Sequence, residues 1–243
     1  MKITGIIPAR YESSRLPGKP LADICGKPMI WWVYQKVMCV KGIDSVYVAT
    51  DDERVAEACD SYNIKYVMTS KNHTTHISRL HEVSEKIKSD LYLCVCGDEP
   101  LIETEIIEKA IPKEVNEEKV LVSALMREFC EPSEVVDPNN IKITTNKNDI
   151  CIGLSRSPIP FPHKTILFKY KKIMGVECYN KKALDFFVKT EVGPLEKIED
   201  ITLLRYLENR IPIKFSLVSS IALSVDTQKD LEKVREILES IDK

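Results

Sequence analysis

Three cationic side chains lie close together in the segment PARYESSRLPGKPL, residues 8–21. Arg10, Arg15 and Lys19 follow a short apolar run that ends at Pro8. A guanidinium group matches the geometry of phosphate oxygens, and an ammonium group supplies a compact positive charge. The spacing therefore predicts a cradle for a triphosphate, and the alternative interpretation is a solvated basic loop.

Two acidic residues stand at predicted element boundaries far apart in the chain. Asp98 belongs to GDEP at 97–100, and Asp226 belongs to SVDTQKDL at 224–231. A carboxylate that faces a cationic loop can hold Mg²⁺ on a nucleotide. The alternatives are a polar turn for Asp98 and a helix start for Asp226. A shared metal site requires the fold to bring the two carboxylates together.

Several functional classes are disfavoured by the sequence. It contains neither GxxxxGK(S/T) nor GxGxxG, which argues against a P-loop NTPase and a dinucleotide dehydrogenase. With 35 basic and 37 acidic residues among 243, the formal net charge is −2, so we expect no nucleic-acid partner. No apolar run reaches the ~20 residues that span a bilayer. The apolar run at the amino end is too short for a signal peptide. Eight cysteines without a CxxC pair favour unpaired thiols in the cytoplasm.

Strand and helix patterns alternate through the first half of the chain. Buried strands are predicted over 3–8, 44–52, 65–70 and 91–100, and helices over 28–41, 54–62 and 78–89. The second half is mixed, with strands predicted over 119–127, 140–146, 150–160, 211–218 and 221–225 and helices over 181–190, 196–210 and 227–241. The alternation predicts an α/β fold with a mostly parallel sheet flanked by helices. Functional loops are then expected at the carboxyl ends of the strands.

The motifs together resemble a known family. The chain resembles the 3-deoxy-manno-octulosonate (Kdo) cytidylyltransferases, and more loosely the CMP-sialic acid synthetases, because it carries in order PARYESSRLPGKPLADICGKPMI, ATDD, MTSKNH, GDEP, SRSPIP and VDT. The resemblance implies a nucleotide-diphosphosugar-transferase-like fold, Mg²⁺ as cofactor and a homodimer. It also implies that CTP and an acidic sugar are converted to a CMP-sugar and pyrophosphate. A single domain, 1–243, would comprise a nucleotide-binding half, 1–112, and an acceptor-binding and dimerisation half, 113–243.

The resemblance implies roles at the matching positions. Nucleotide binding is expected at Pro8, Ala9, Arg10, Ser14, Arg15, Lys19, Met68, Thr69, Ser70, His73 and Asp98. Catalysis is expected from Arg10, Arg15, Lys19 and Asp98, and metal binding from Asp98 and Asp226. Acceptor binding is expected at Arg79, Cys96, Arg156, Glu177, Tyr179, Glu199 and Thr202.

The departures from the family pattern gather on the acceptor side. Cys96 stands where the family has Gln. In the segment after His73, the family's Gly, Thr and acidic residue are replaced by His76, Ile77 and Ser78. The strand at 173–179 lacks a His and a Tyr of the pattern, and Thr202 and Leu203 stand where the family has Glu and Gln. Buried hydrogen-bonding groups discriminate strongly between substrates. We therefore expect a changed acceptor, such as a modified Kdo, another acidic sugar, or a phosphorylated or phosphonate metabolite.

An alternative from another class is a nucleotide-binding regulatory homologue without turnover. The cationic loop and both aspartates argue against it, because a binding module can dispense with a pair of metal ligands.

Overall fold

The computed structural model describes residues 1–13, 15–116, 118–165, 167–220 and 223–241. Its contacts divide the chain into two units, Met1–Glu108 with Ser220–Lys243, and Lys109–Ser219. The boundary near residue 110 lies close to the predicted boundary between halves. The carboxyl-terminal segment differs, because it belongs to the first unit and was expected in the second half.

The first unit follows the predicted alternation. Its strands are β1 (Ile3–Ala9), β2 (Asp23–Ile24), β3 (Lys27–Pro28), β4 (Ser45–Thr50), β5 (Tyr66–Met68) and β6 (Leu91–Val95). Its helices are α1 (Met29–Met38), α2 (Glu53–Ser61), α3 (His76–Lys86) and α4 (Thr104–Ile107), with one turn of 3-10 helix at Lys19–Leu21. A second such turn, at Glu108–Ala110, covers the boundary between the units.

Four strands of the first unit form a parallel sheet in the order β6-β1-β4-β5. Ile6 and Ile7 of β1 are fully buried, as expected for a central strand with both faces covered. In the register, Ala9 pairs with Thr50 and Thr50 with Met68, so the strands end together. The α/β prediction is confirmed, and the loops that follow these strands meet at one edge of the sheet.

The second unit has a mixed sheet. Its strands are β7 (Val122–Glu128), β8 (Lys142–Thr145), β9 (Cys151–Ser155), β10 (Lys171–Asn180) and β11 (Ile213–Val218). Its helices are α5 (Pro132–Val136), α6 (Lys181–Lys189), α7 (Pro194–Glu199) and α8 (Leu204–Glu208). Within this unit β11 is parallel to β7, while the pairs β7–β10, β10–β8 and β8–β9 are antiparallel.

The last helix, α9 (Gln228–Ile241), returns the chain to the first unit. Leu231 and Val234 of this helix are buried in one apolar cluster with Ile24 and Met29. Thr227 and Asp230 form a capping box at the start of this helix: the side chain of each accepts a hydrogen bond from the backbone N–H of the other, at 2.9 and 3.3 Å. Burial of this apolar face explains why the tail belongs with the first unit.

Two predicted elements differ from the structure. The helix expected over 196–210 is divided into α7 and α8, because Asp200 adopts a left-handed conformation with φ of 51°. The strand expected over 221–225 includes residues 221 and 222, which lie outside the described residues, and residues 223–225 are not in a strand. Across the described ranges, no helix is long and apolar enough to cross a membrane.

Candidate active site

An open cleft of about 480 Å³ lies at the carboxyl ends of β1 and β6 in the first unit. It is lined by Pro8, Ala9, Arg10, Glu12, Ser13, Arg15, Lys19, Pro20, His76, Arg79, Cys96, Gly97 and Asp98. Polar and charged side chains dominate this list, which suits a charged and hydrated ligand. The cleft therefore occupies the edge at which the alternation predicts functional loops.

Gly18 shapes the backbone that presents Lys19. Its φ is +69°, and its N–H donates to the Tyr11 carbonyl at 3.0 Å, which closes the loop before the 3-10 turn. A Cβ at this position would lie 3.2 Å from the Tyr11 hydroxyl oxygen, in a conformation that L side chains rarely adopt. Glycine at residue 18 thus allows the cationic loop to fold back and direct Lys19 into the cleft.

Gly97 and a backbone bond bring two distant carboxylates together. A Cβ on Gly97 would approach the Pro8 carbonyl to 3.2 Å, so glycine lets the loop after β6 pass close to the end of β1. The Val225 N–H donates to the Asp98 carbonyl at 2.8 Å. This bond holds the segment that carries Asp226 beside Asp98, as a shared site requires.

A charge cluster forms around Lys19. Its ammonium donates to Asp98 Oδ2 at 2.7 Å and to Asp226 Oδ1 at 3.0 Å, while the Arg15 guanidinium lies 3.0 Å from the same Asp226 oxygen. Burial by itself lowers the pKa of Lys19, but Asp98 first and then Asp226 outweigh it and raise that pKa above its usual value. The fold thus assembles four of the predicted site residues from three segments of the chain.

The two carboxylates fit a magnesium ion. Asp98 and Asp226 direct one oxygen each at a single cationic atom, and carboxylate oxygens are the ligands that Mg²⁺ prefers. Mg²⁺ in nucleotide enzymes is commonly held by one or two carboxylates together with substrate phosphates. Asp98 and Asp226 are therefore the residues that could hold the metal.

The loop after β5 is tied to α3 by Glu82. Its carboxylate oxygen Oε2 accepts a hydrogen bond from the Ser70 N–H at 2.8 Å and lies 2.6 Å from His73 Nε2. His73 Nδ1 lies 3.2 Å from the Ser78 hydroxyl oxygen. Lys86 donates to Glu82 and to the Met68 carbonyl, each at 2.7 Å. These bonds fix the backbone of the loop at 68–73, where the resemblance implies nucleotide binding.

Glu82 predicts a pH effect on stability. Burial opposes its ionisation, but Lys86, the Ser70 amide and His73 outweigh burial and lower the pKa of Glu82 to about 2. The stability that its ionised form contributes is present above the ordinary pKa and is lost as pH falls toward 2. The free energy of unfolding of the wild type should fall as pH drops from 6 to 3, and we expect this fall to be smaller by about 1 kcal/mol in Glu82→Gln. The value allows for solvent screening of the carboxylate, which is 26% exposed.

Urea unfolding at several pH values measures this effect. Glu57→Gln, which removes an exposed carboxylate from α2, is the matched control and should follow the wild-type pH dependence. Parallel curves for wild type and Glu82→Gln would contradict the assigned role. Weaker binding of the nucleotide that the resemblance implies is also expected in Glu82→Gln, because the loop at 68–73 loses a tether.

Arg79 is buried although it borders the cleft. Its side chain is 1% exposed, and it donates to Asp51 Oδ2 at 2.8 Å and to Thr69 Oγ1 at 2.5 Å. Thr69 Oγ1 in turn donates to the Thr50 carbonyl at 2.9 Å. Arg79 therefore connects α3 to the loops that follow β4 and β5. Through these contacts Arg79 positions the loops that carry Asp51 and Thr69, whereas the resemblance implies that Arg79 binds the acceptor.

In the second unit, Arg156 and Glu199 bind each other. Glu199 accepts bonds from the Ser155 hydroxyl at 2.7 Å and the Arg156 N–H at 2.8 Å. The Arg156 guanidinium donates to the carbonyls of Glu199, Pro138 and Asp200 at 2.6, 2.9 and 3.0 Å. The contacts hold the SRSP turn against the end of α7.

Glu177 and Tyr179 form a second pair on β10. The Tyr179 hydroxyl donates to Glu177 Oε2 at 2.6 Å, and both residues are buried. The Tyr179 ring packs at 6.1 Å from the ring of Tyr206. Thr202 is half-buried in the turn before α8, where its carbonyl accepts from the Arg205 N–H at 3.2 Å. These contacts place the three predicted acceptor residues in the framework of the second unit.

The predicted set is thus only partly gathered at the cleft. Its lining includes Pro8, Ala9, Arg10, Arg15, Lys19, Arg79, Cys96 and Asp98, with Asp226 bonded to two of them. Met68, Thr69, Ser70 and His73 are not in the lining, and Ser14 lies outside the described residues.

Sequence reasoning missed several residues of the site. Glu12, Ser13, Pro20 and Gly97 line the cleft, and Asp51 and Glu82 support it. Asp51 belongs to ATDD and Gly97 to GDEP, so those motifs offered a signal. Glu82 offered none beyond its helical spacing to Lys86, because its link to the loop at 68–73 depends on the tertiary fold.

Comparison with known proteins gives consistent matches over the chain. A family model described as cytidylyltransferase matches residues 4–215. A 3-deoxy-manno-octulosonate cytidylyltransferase of Fusobacterium nucleatum is 41% identical over 235 residues, covering 96% of each chain. An 8-amino-3,8-dideoxy-manno-octulosonate cytidylyltransferase of Shewanella frigidimarina is 38% identical over 237 residues, covering 96% of this chain and 97% of the relative.

Solved structures give a similar result. The structure of CMP:2-keto-3-deoxy-manno-octonic acid synthetase complexed with CTP has a TM-score of 0.93 at 35% identity, covering 99% of this chain and 100% of that chain. An inositol-1-phosphate CTP transferase from T. maritima has a TM-score of 0.71 at 14% identity, covering 99% of this chain and 96% of that chain. The second likeness shows a common fold.

Proposed function

The chain belongs to the 3-deoxy-manno-octulosonate cytidylyltransferase family and is a CTP-dependent nucleotidyltransferase, and from that premise we propose that it transfers CMP to an acidic sugar of the Kdo type. The observation that carries the proposal is the convergence of Lys19 and Arg15 with Asp98 and Asp226 at the cleft. A cationic loop beside a carboxylate pair suits a nucleoside triphosphate with a divalent cation.

The proposed reaction is a direct displacement at the α-phosphorus of CTP. A hydroxyl oxygen of the acceptor forms the new P–O bond, the bond to the bridging oxygen of pyrophosphate breaks, and the hydroxyl proton passes to solvent. Arg10, Arg15 and Lys19 bind the triphosphate and stabilise the charge that develops on the leaving pyrophosphate. The mechanism needs no side-chain nucleophile.

Asp98 and Asp226 would hold Mg²⁺ for this reaction. When bound, the ion supplies charge neutralisation on the phosphate oxygens and orients the reacting groups. The loop at 68–73 is proposed to select cytosine. Its backbone is held where Glu82 accepts from the Ser70 N–H, and its Thr69 side chain is held where Arg79 donates to the hydroxyl oxygen.

The acceptor is proposed to be Kdo or a Kdo-like acid that contacts Cys96 and His76. Both residues line the cleft, and both depart from the family pattern. A thiol cannot reproduce the paired donor and acceptor of a Gln amide, and an imidazole adds polar atoms where the family has glycine. The relative from Shewanella frigidimarina, named for an 8-amino acceptor, supports 8-amino-3,8-dideoxy-manno-octulosonate as a second candidate. The acceptor roles of Arg79, Arg156, Glu177, Tyr179, Glu199 and Thr202 stay predictions.

A pyrophosphate-release assay with CTP and each candidate acceptor tests the proposal. We expect turnover with an acidic sugar, and we expect Cys96→Gln to raise kcat/KM for Kdo by about tenfold, because it restores a hydrogen-bonding group. Cys39→Gln, at an exposed cysteine, is the control and should leave kcat/KM unchanged. Wild-type turnover of Kdo that equals that of the Fusobacterium nucleatum relative would contradict a changed acceptor. No release with any acidic sugar would overturn the function.

A homodimer and a cytoplasmic location complete the proposal. Exposed apolar side chains of the second unit support a protein interface there, since Ile152, Phe161 and Leu167 are 66%, 82% and 86% exposed. The cytoplasmic location is supported by the use of CTP.

A further inference from the structure

Lys19 occupies the point at which the two carboxylates converge. Its ammonium lies 2.7 Å from Asp98 Oδ2 and 3.0 Å from Asp226 Oδ1, and its side chain is only 16% exposed. The carboxylates are more open, at 27% and 32%. Both acidic side chains therefore already direct an oxygen at a cation that belongs to the protein.

A divalent cation that uses these oxygens must displace the ammonium. Mg²⁺ binds carboxylate oxygens at about 2.1 Å, within the space that the Lys19 nitrogen fills between them. Two cations at so short a distance repel each other strongly in a partly buried site. Lys19 and the metal thus exclude each other from the pair formed by Asp98 and Asp226.

The same side chain has a second set of partners within reach. Lys19 lines the cleft with Arg10 and Arg15, where the proposed triphosphate would lie. Its flexible four-carbon stem lets the ammonium move from carboxylate to phosphate oxygens without loss of ionic bonding. Nucleotide phosphates would then compensate the bonds that Lys19 gives up when the metal binds.

We propose that Lys19 competes with the metal for Asp98 and Asp226, so that the metal enters with the nucleotide. This inference rests on the proposed function, in which these aspartates hold the metal. Free metal then binds the nucleotide-free protein weakly. Nucleotide and metal each raise the affinity for the other, as linkage requires.

Binding of Mn²⁺ to the full-length, nucleotide-free protein tests the competition. Mn²⁺ stands in for Mg²⁺ because electron paramagnetic resonance counts the free ion directly. We expect Lys19→Gln to bind Mn²⁺ at least about tenfold more tightly than wild type, because the internal competitor is gone. Lys19→Arg keeps a cation at the end of the side chain and should stay as weak as wild type.

Two further variants separate displacement from a general field effect. Arg10→Gln removes the same charge from the same cleft lining, and Arg10 forms no ion pair in the described part of the chain. It should raise Mn²⁺ affinity far less than Lys19→Gln. Lys19→Gln combined with Asp98→Asn should lose the gained affinity, because the carboxylate pair is broken. Thermal unfolding of each variant verifies that the protein is folded.

The outcomes distinguish this inference from the function on which it rests. Equal Mn²⁺ affinity for wild type and Lys19→Gln, with tight binding once a nonhydrolysable CTP analogue is added, overturns the competition alone. An equal gain in Arg10→Gln also overturns it. Failure of Mn²⁺ to bind either protein, with or without the analogue, overturns the metal role of the two aspartates as well.

Discussion

Asp98→Asn is expected to lower kcat by about 10³-fold, because it removes the charge of a metal ligand while keeping the size of the side chain. Asp98 lies at the cleft and shares Lys19 with Asp226. CTP binding should persist, since Arg10, Arg15 and Lys19 are retained. Pyrophosphate release at saturating substrate measures turnover, and calorimetry with CTP measures binding.

The matched control is Asp60→Asn, which removes an exposed carboxylate from α2 and should leave kcat unchanged. Asp226→Asn should resemble Asp98→Asn. The double variant should lose little more than either single one, because both side chains act on one ion. A regulatory homologue without turnover would keep its nucleotide-dependent function in Asp98→Asn. Turnover near the wild-type level in that variant would contradict the catalytic role of Asp98.

Arg79→Met is expected to lower the free energy of unfolding by about 3 kcal/mol, since it leaves the Asp51 carboxylate without its cationic partner. Arg79 is 1% exposed and Asp51 is 14% exposed, so water reaches the remaining carboxylate poorly. Thr69 also loses a donor at 2.5 Å. We therefore expect KM for CTP to rise together with the loss of stability. Urea unfolding and steady-state kinetics measure the two effects.

Two variants test the cause of the Arg79 effect. Asp51→Asn in the Arg79→Met background should recover part of the stability, because the unpaired charge is gone. Arg79→Lys should be intermediate, since a compact ammonium lacks the planar fork whose two nitrogens bond Asp51 and Thr69 separately. If Arg79→Met is as stable as wild type and raises KM for the acceptor alone, Arg79 binds the acceptor, as the resemblance implies.

Local patterns were sufficient for most of the first unit. The alternation of apolar runs with helical spacing predicted β1, β4, β5 and β6 and the helices between them, because these periodicities depend only on neighbouring residues. The helix predicted over 196–210 was wrong, since Asp200 turns the backbone in a conformation that helical spacing does not reveal.

By itself, the sequence determined which residues could bind phosphate and metal, and that loops at the strand ends would carry them. Only the tertiary structure decided that Lys19 meets Asp226, 207 residues away, between two carboxylates. It also decided that Arg79 is turned inward to Asp51 and Thr69, and that the tail packs with the first unit. The physical reason is that side-chain type and periodicity are local, whereas contacts between distant segments depend on strand order and on the packing of α9.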